Sequence, residues 1–165
     1  MRSKSKIYIL TGPIRSGKTS ALLQWSADQK SIGGILTPDI NGERVFQMLP
    51  DNHILPMLAN SEEEEVMEVG RFRFSKNSFQ KVIQSIYRSI EEKKDWIVMD
   101  EIGPLELRGE GFADVLKNML RNQERAYNIL LVVRDGLLEK VIDYFGMDAS
   151  ELKIVGKKDA MFWTR

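Results

Sequence analysis

The apolar run Ile7-Tyr8-Ile9-Leu10 leads into Gly12-Pro13-Ile14-Arg15-Ser16-Gly17-Lys18-Thr19, and the following stretch from Thr19 to Lys30 can form a helix. Strand, glycine-rich turn and helix in that order constrain the fold more than any other feature of this chain. The octapeptide matches G-x-x-x-x-G-K-[ST], a loop whose backbone amides cradle phosphate groups. Gly12 and Gly17 permit backbone angles and close approaches that a β-carbon forbids. The amides around Arg15 to Thr19 then form an anion-binding nest at a helix N-terminus. The expected nucleotide-binding residues are Gly12, Pro13, Ile14, Arg15, Ser16, Gly17, Lys18, Thr19 and Ser20. Lys18 is expected to place its ammonium between the β- and γ-phosphates. The Thr19 hydroxyl is expected to ligate Mg²⁺, which takes few protein ligands and keeps waters and phosphate oxygens.

A chain of 165 residues suffices for one domain with a sizeable core, and 1–165 reads as a single domain. Lys+Arg and Asp+Glu are both 24, so zero net charge argues against a general nucleic-acid or anionic-membrane partner. The absence of cysteine excludes a disulfide framework and Cys-ligated zinc or iron–sulfur sites. Basic Met1 to Lys6 is followed by only four apolar residues, too few for a signal peptide, and no apolar run approaches a membrane span. A cytoplasmic protein is the expectation.

Beyond the first helix, Gly33 to Pro38 reads as a short strand closed by a proline. Asn41-Gly42 signals a hairpin turn, and Arg44 to Leu49, His53 to Leu58 and Val69 to Phe74 read as strands. Residues 33–74 are thus expected to form a β-hairpin-rich insertion beside the main sheet. Glu62 to Glu65 reads as a solvated loop or the start of a helix.

Helical periodicity then dominates. Phe79, Val82, Ile83, Ile86, Tyr87 and Ile90 predict a helix capped by Ser75 or Ser78. Phe112, Val115, Leu116, Met119 and Leu120 predict a second, and Leu137, Leu138, Val141, Ile142 and Phe145 a third. Trp96 to Asp100, Asn128 to Val133 and Leu152 to Val155 read as buried strands between them. Strands apolar on both faces and alternating with helices predict an α/β three-layer fold with a mostly parallel sheet.

A phosphate loop needs an acidic partner for the metal, at the C-terminal end of a neighbouring buried strand. Asp100 follows an apolar run and Glu101 follows Asp100. Asp100 is expected to hold Mg²⁺, through a water, and Glu101 to accept a proton from the water attacking the γ-phosphorus, or to orient it. Standing alone, an Asp-Glu pair serves equally to cap a helix or turn.

Three segments resemble the small nucleoside-triphosphatases of the cancer-related, thermophile-type NTPase family. They are the loop itself, Gly34-Ile35-Leu36-Thr37-Pro38 with Gly42-Glu43-Arg44, and Asp100-Glu101-Ile102-Gly103-Pro104-Leu105-Glu106-Leu107. The last block is the most specific. The resemblance spans about the first two thirds of the chain. It implies a P-loop NTPase fold and Mg²⁺-dependent hydrolysis of nucleoside triphosphates to diphosphate and phosphate, with loose base selectivity. It carries phosphate binding to Lys18, and metal and water-activating roles to Thr19, Asp100 and Glu101. Arg15 stands where the family loop carries small or apolar residues, and Arg134-Asp135 only partly matches the family's later Asn-Arg-Asp-like stretch.

Other residues carry two readings each. Arg15 reaches the γ-phosphate or a neighbouring subunit's nucleotide, or else points to solvent, which the permissive motif position favours. Arg44 and Arg134 either neutralise charge on the transferred phosphoryl group or form surface ion pairs, the latter favoured. Thr37-Pro38 and Gly103-Pro104 read as loop stiffeners, Glu106 and His53 as structural. Phe162 and Trp163 stack on a base or anchor the tail, the anchor favoured. Two competing functions remain open. One is a small nucleotide or metabolite kinase, with Arg121, Arg125 and Arg134 as partial lid material. The other is a nucleotide-dependent switch that signals to a partner.

Overall fold

The computed structural model describes residues 5–13, 17–62, 64–156 and 159. In chain order the elements are β1 (Ile7–Gly12), α1 (Lys18–Ala27), β2 (Ile32–Leu36), β3 (Asp39–Ile40), β4 (Glu43–Leu49), β5 (His53–Pro56), β6 (Val66–Val69) and β7 (Phe72–Ser75). They continue with α2 (Lys76–Glu91), β8 (Trp96–Met99), α3 (Pro104–Leu107), α4 (Ala113–Arg121), β9 (Asn128–Arg134), α5 (Leu138–Phe145) and β10 (Leu152–Val155). Strand order in the main sheet is β10-β1-β9-β8-β2-β4-β3, with β5 paired to β4. The first five strands of that order are parallel. The remaining pairs are antiparallel.

The mostly parallel α/β sheet agrees with the sequence. The central strands show why: Ile129, Leu131 and Val133 of β9 enter one apolar cluster, while Leu130 and Val132 enter another on the opposite face. Leu22 and Trp25 of α1 cover the second face, with Trp25 edge-on to Trp96 at 4.9 Å between ring centroids. Helices α2 to α5 cover the first through Phe79, Val82, Ile86, Leu105, Leu116 and Val141. Burying each such side chain contributes about 1.5–3 kcal/mol.

The segment expected as an insertion at 33–74 divides differently. β2 lies inside the main sheet, in register with β8 from Ile32↔Trp96 to Ile35↔Met99. Gly34 allows this closeness: a β-carbon there would lie 1.9 Å from the Val98 carbonyl oxygen, and its φ is +108°. β3, β4 and β5 continue the same sheet as an antiparallel edge rather than standing beside it. Only β6 and β7 form a separate two-stranded sheet. The single strand expected at Val69 to Phe74 is in fact two, because Gly70 turns the chain at φ +57°. The strand from His53 ends at Pro56 rather than Leu58, and Met57 then turns into the core. Ser75, not Ser78, caps α2, accepting from the Ser78 amide.

Strand order reverses at β1: the chain passes from β1 to β2 on one side, and β10 closes the other. α1 lies on one face and α5 on the opposite one. A crevice at the C-terminal ends of the strands is the consequence of that reversal.

Candidate active site

β1 ends at Gly12, which pairs in register with Arg134 at the end of β9. Ile14, Arg15 and Ser16 lie outside the described residues, as do Phe162 and Trp163. Gly17 is left-handed at φ 85° and starts α1 without a side-chain cap. The first turn of α1 holds no acidic residue of its own. The Lys18 ammonium donates to the carbonyls of Gly12, at 3.2 Å, and Pro13, at 2.6 Å. Thr19 and Ser20 follow on the same helical turn.

Asp100 follows β8, two strands from β1 and so roughly 10 Å away between strand axes. Thr19, on α1 rather than on β1, meets it there, donating its hydroxyl to Asp100 Oδ2 at 3.0 Å. The Thr37 amide donates to the same oxygen at 3.0 Å. Asp100 is buried at 1% exposure, yet its Oδ1 has no hydrogen-bond partner among the described residues. The buried Thr37 hydroxyl likewise makes no bond of proper geometry. Burial pushes the Asp100 carboxyl above its ordinary range, and the neighbouring Glu101 adds to this against the Thr37 amide and the Thr19 hydroxyl. An unpartnered oxygen on a buried carboxylate, with a threonine hydroxyl beside it, is costly without a cation or ordered water.

Glu101 is left-handed at φ +65°. The hydrogen bonds around it explain this. The Asp100 amide donates to Ile35 of β2, but the Ile102 amide donates to Val132 of β9. In a regular strand, amides two residues apart point the same way. The chain therefore inverts at Glu101, at a cost of about 1–3 kcal/mol of backbone strain, and re-aims its side chain. Arg44 Nη1 donates to Glu101 Oε2, a short contact that ties β4 to the end of β8. Burial works against the Arg44 charge, but Glu101, Asp39 and Asp100 together raise its pKa. Beyond the turn, the buried Glu106 accepts from the amides of Gly103, at 2.8 Å, and Phe112, at 3.0 Å, and so holds α3 in place.

The structure thus brings Thr19, Lys18, Asp100 and Glu101 to one sheet edge, as expected. It adds Thr37 as a partner of Asp100 rather than a mere loop stiffener. The rule that selects Asp100, a polar residue closing an apolar parallel strand, also selects Thr37 after Ile35-Leu36. Arg44 forms an ion pair, but with Glu101. Arg134 is exposed at the same edge, and His53 is exposed on the β4–β5 hairpin. Arg125 is buried, donating to the Asn122 carbonyl with Glu151 at 3.8 Å, which removes it as lid material. Among the described residues no helix is long and apolar enough to cross a membrane. Nor do three His, Cys, Asp or Glu side chains among them cluster as an all-protein metal cage.

The comparisons with known proteins bear on the family and the fold. The chain is similar to a nucleoside-triphosphatase THEP1 of Korarchaeum cryptofilum, 24% identical over 97% of this chain and 83% of that protein. It is 25% identical to a THEP1 nucleoside-triphosphatase of Archaeoglobus fulgidus over 80% of this chain and 81% of the relative. The crystal structure of THEP1 from Aquifex aeolicus superposes with a TM-score of 0.69 at 15% identity, over 93% of this chain and 91% of the other, and so shares the fold. The sequence pattern of the family described as NTPase matches residues 7–151, from the first strand to the threshold of the last, and the chain belongs to that family.

Proposed function

We propose that the chain is a Mg²⁺-dependent nucleoside-triphosphate hydrolase that releases diphosphate and phosphate with loose base selectivity. The relatives carry the name nucleoside-triphosphatase. The observation that carries the reading is the Thr19–Asp100 hydrogen bond at 3.0 Å beside a strained Glu101. A hydroxyl from the phosphate loop and a buried carboxylate with one oxygen unpartnered are the donor set that Mg²⁺ takes beside phosphate oxygens. Thr19 and Asp100 would hold the ion, and the Thr37 hydroxyl would meet its bound water. When bound, it screens charge on the β- and γ-phosphates.

The amides at the start of α1 and the loop bind the phosphates. Lys18 leaves the carbonyls of Gly12 and Pro13 for the β- and γ-phosphates. Glu101 orients the attacking water and accepts its proton as the new P–O bond forms. The bond from the γ-phosphorus to the bridging oxygen breaks, and its electron pair stays on the departing diphosphate. Residues 1–165 act as one domain, cytoplasmic, with no nucleic-acid or membrane partner.

The test is phosphate release from ATP, GTP, CTP and UTP with Mg²⁺ and no acceptor. Turnover is expected with all four, and Glu101→Gln should lower kcat about hundredfold or more while nucleotide binding persists. Product that forms only with an added nucleoside monophosphate would mean a kinase. Binding with background turnover would mean a switch.

A further inference from the structure

We propose that Arg44 is the γ-phosphate sensor of this site, taking a terminal phosphate oxygen with the guanidinium edge that Glu101 and Asp39 leave unused. The inference rests on the hydrolase reading above.

Strand pairing brings Arg44 to the site. The Asn41-Gly42 turn folds β4 back on β3, setting Arg44 opposite Asp39. Arg44 Nη1 is engaged by Glu101 Oε2, and its Nε lies 3.8 Å from Asp39 Oδ1. A guanidinium carries five N–H donors in a fixed planar fork. The two on Nη2 bond to no described residue. Through Glu101, which directly follows Asp100, the guanidinium is held beside the end of β8. Its side chain is 42% exposed, open to a ligand entering from solvent.

The position follows from the chemistry. A water activated by Glu101 must lie within hydrogen-bond reach of its carboxylate, with the γ-phosphorus about 3–3.5 Å beyond. Arg44 holds that same carboxylate. Its free edge therefore lies one or two hydrogen-bond lengths from the γ-phosphate oxygens. A diphosphate, seated one phosphate further back on the loop, does not reach it. One planar side chain thus fixes the base and detects the group the base acts upon. Lysine, a point charge without the fork, cannot hold both partners in fixed geometry.

The experiment measures Kd for a β,γ-imido nucleoside triphosphate and the matching diphosphate, with Mg²⁺, on the whole chain. Arg44→Ala should weaken the triphosphate about tenfold to hundredfold and leave the diphosphate within about twofold. Arg44→Lys should recover only part of the loss. Retained diphosphate binding is the control for folding, and Arg44→Gln, closer in size, carries the same expectation should the alanine variant not fold. Equal losses for both nucleotides, or an unchanged triphosphate Kd, overturn the proposal. Phosphate release separates the two readings: wild-type turnover without acceptor beside an unchanged triphosphate Kd in Arg44→Ala overturns the sensor role alone, whereas binding without turnover overturns the hydrolase reading. A wild-type chain that binds neither nucleotide overturns the hydrolase reading and this inference together.

Discussion

At the scale of single residues, the site is organised by oxygens that have too few partners. Thr37 donates its amide to Asp100 and sets its buried hydroxyl near the same carboxyl without hydrogen-bond geometry, while Asp100 Oδ1 is buried without a partner among the described residues. Thr37→Val keeps the amide contact and removes only the hydroxyl. Without nucleotide, its stability should stay within about 1 kcal/mol of wild type or rise, since an orphaned polar group is lost. The Mg²⁺ concentration needed for half-maximal turnover should rise about tenfold, read from a metal titration beside a denaturant melt. Glu106 yields a pH prediction. Burial, with a smaller push from the Glu101 charge, raises its carboxyl from 4.5 to about 7, against the Gly103 and Phe112 amides. The folded state therefore binds this proton more tightly than the unfolded one. Its contribution is fully present below pH 4.5 and is lost as pH rises toward about 7. A shift of this size corresponds to about 3 kcal/mol. The thermal midpoint of Glu106→Gln should therefore fall less between those pH values than that of wild type. Parallel pH profiles for the two proteins would exclude the assignment.

At the scale of elements, β2 decides how closely the two halves of the site approach. Gly33 and Gly34 look like ordinary strand residues of low propensity in the sequence. In the fold, Gly34 sits against the Val98 backbone at a φ that residues with a β-carbon rarely adopt. Gly34→Ala should destabilise the chain by about 3 kcal/mol or more in chemical denaturation, through overlap and backbone strain together. It should also displace Thr37, three residues on, and weaken metal affinity in whatever folded fraction survives. The helices were legible in advance, since Phe79, Val82 and Ile86, or Val115, Leu116 and Met119, declare a buried face by spacing alone. The four-residue α3 was not, because a single turn carries no period. It is held instead by Pro104 at its first turn and by the two backbone bonds of Glu106. The β6–β7 hairpin was legible only as strand, because a glycine can continue a strand or turn it.

At the scale of the whole molecule, the start of α1 with Thr19, the segment holding Thr37 and Arg44, and the Asp100-Glu101 pair come from three separate stretches of chain that the sheet brings together. Ligand binding should therefore stabilise the fold as a unit. With Mg²⁺ and a non-hydrolysable triphosphate at about a hundred times Kd, the gain is about 2.7 kcal/mol, or a thermal midpoint raised by about 5–10 °C. Lys18→Ala should abolish most of that rise, and an unchanged wild-type midpoint in scanning calorimetry would contradict the binding site itself.

The sequence alone determined the parts whose physics is local. Gly12 to Thr19 is contiguous, so its match to a phosphate-loop pattern is written in one octapeptide between an apolar strand and a helix. Asp100-Glu101 was visible because a polar pair closes the apolar run of a parallel strand. Only the tertiary structure decided what depends on strand order and pairing. β9 lies between β1 and β8, so Thr19 meets Asp100 across two strand spacings. β2 borders β8, so the Thr37 amide reaches Asp100. The chain inverts at Glu101 because its flanking amides serve opposite neighbours, and Arg44 arrives from 57 residues away to hold it. No local pattern encodes such contacts, because they follow from which strands become neighbours when both faces of the sheet are buried.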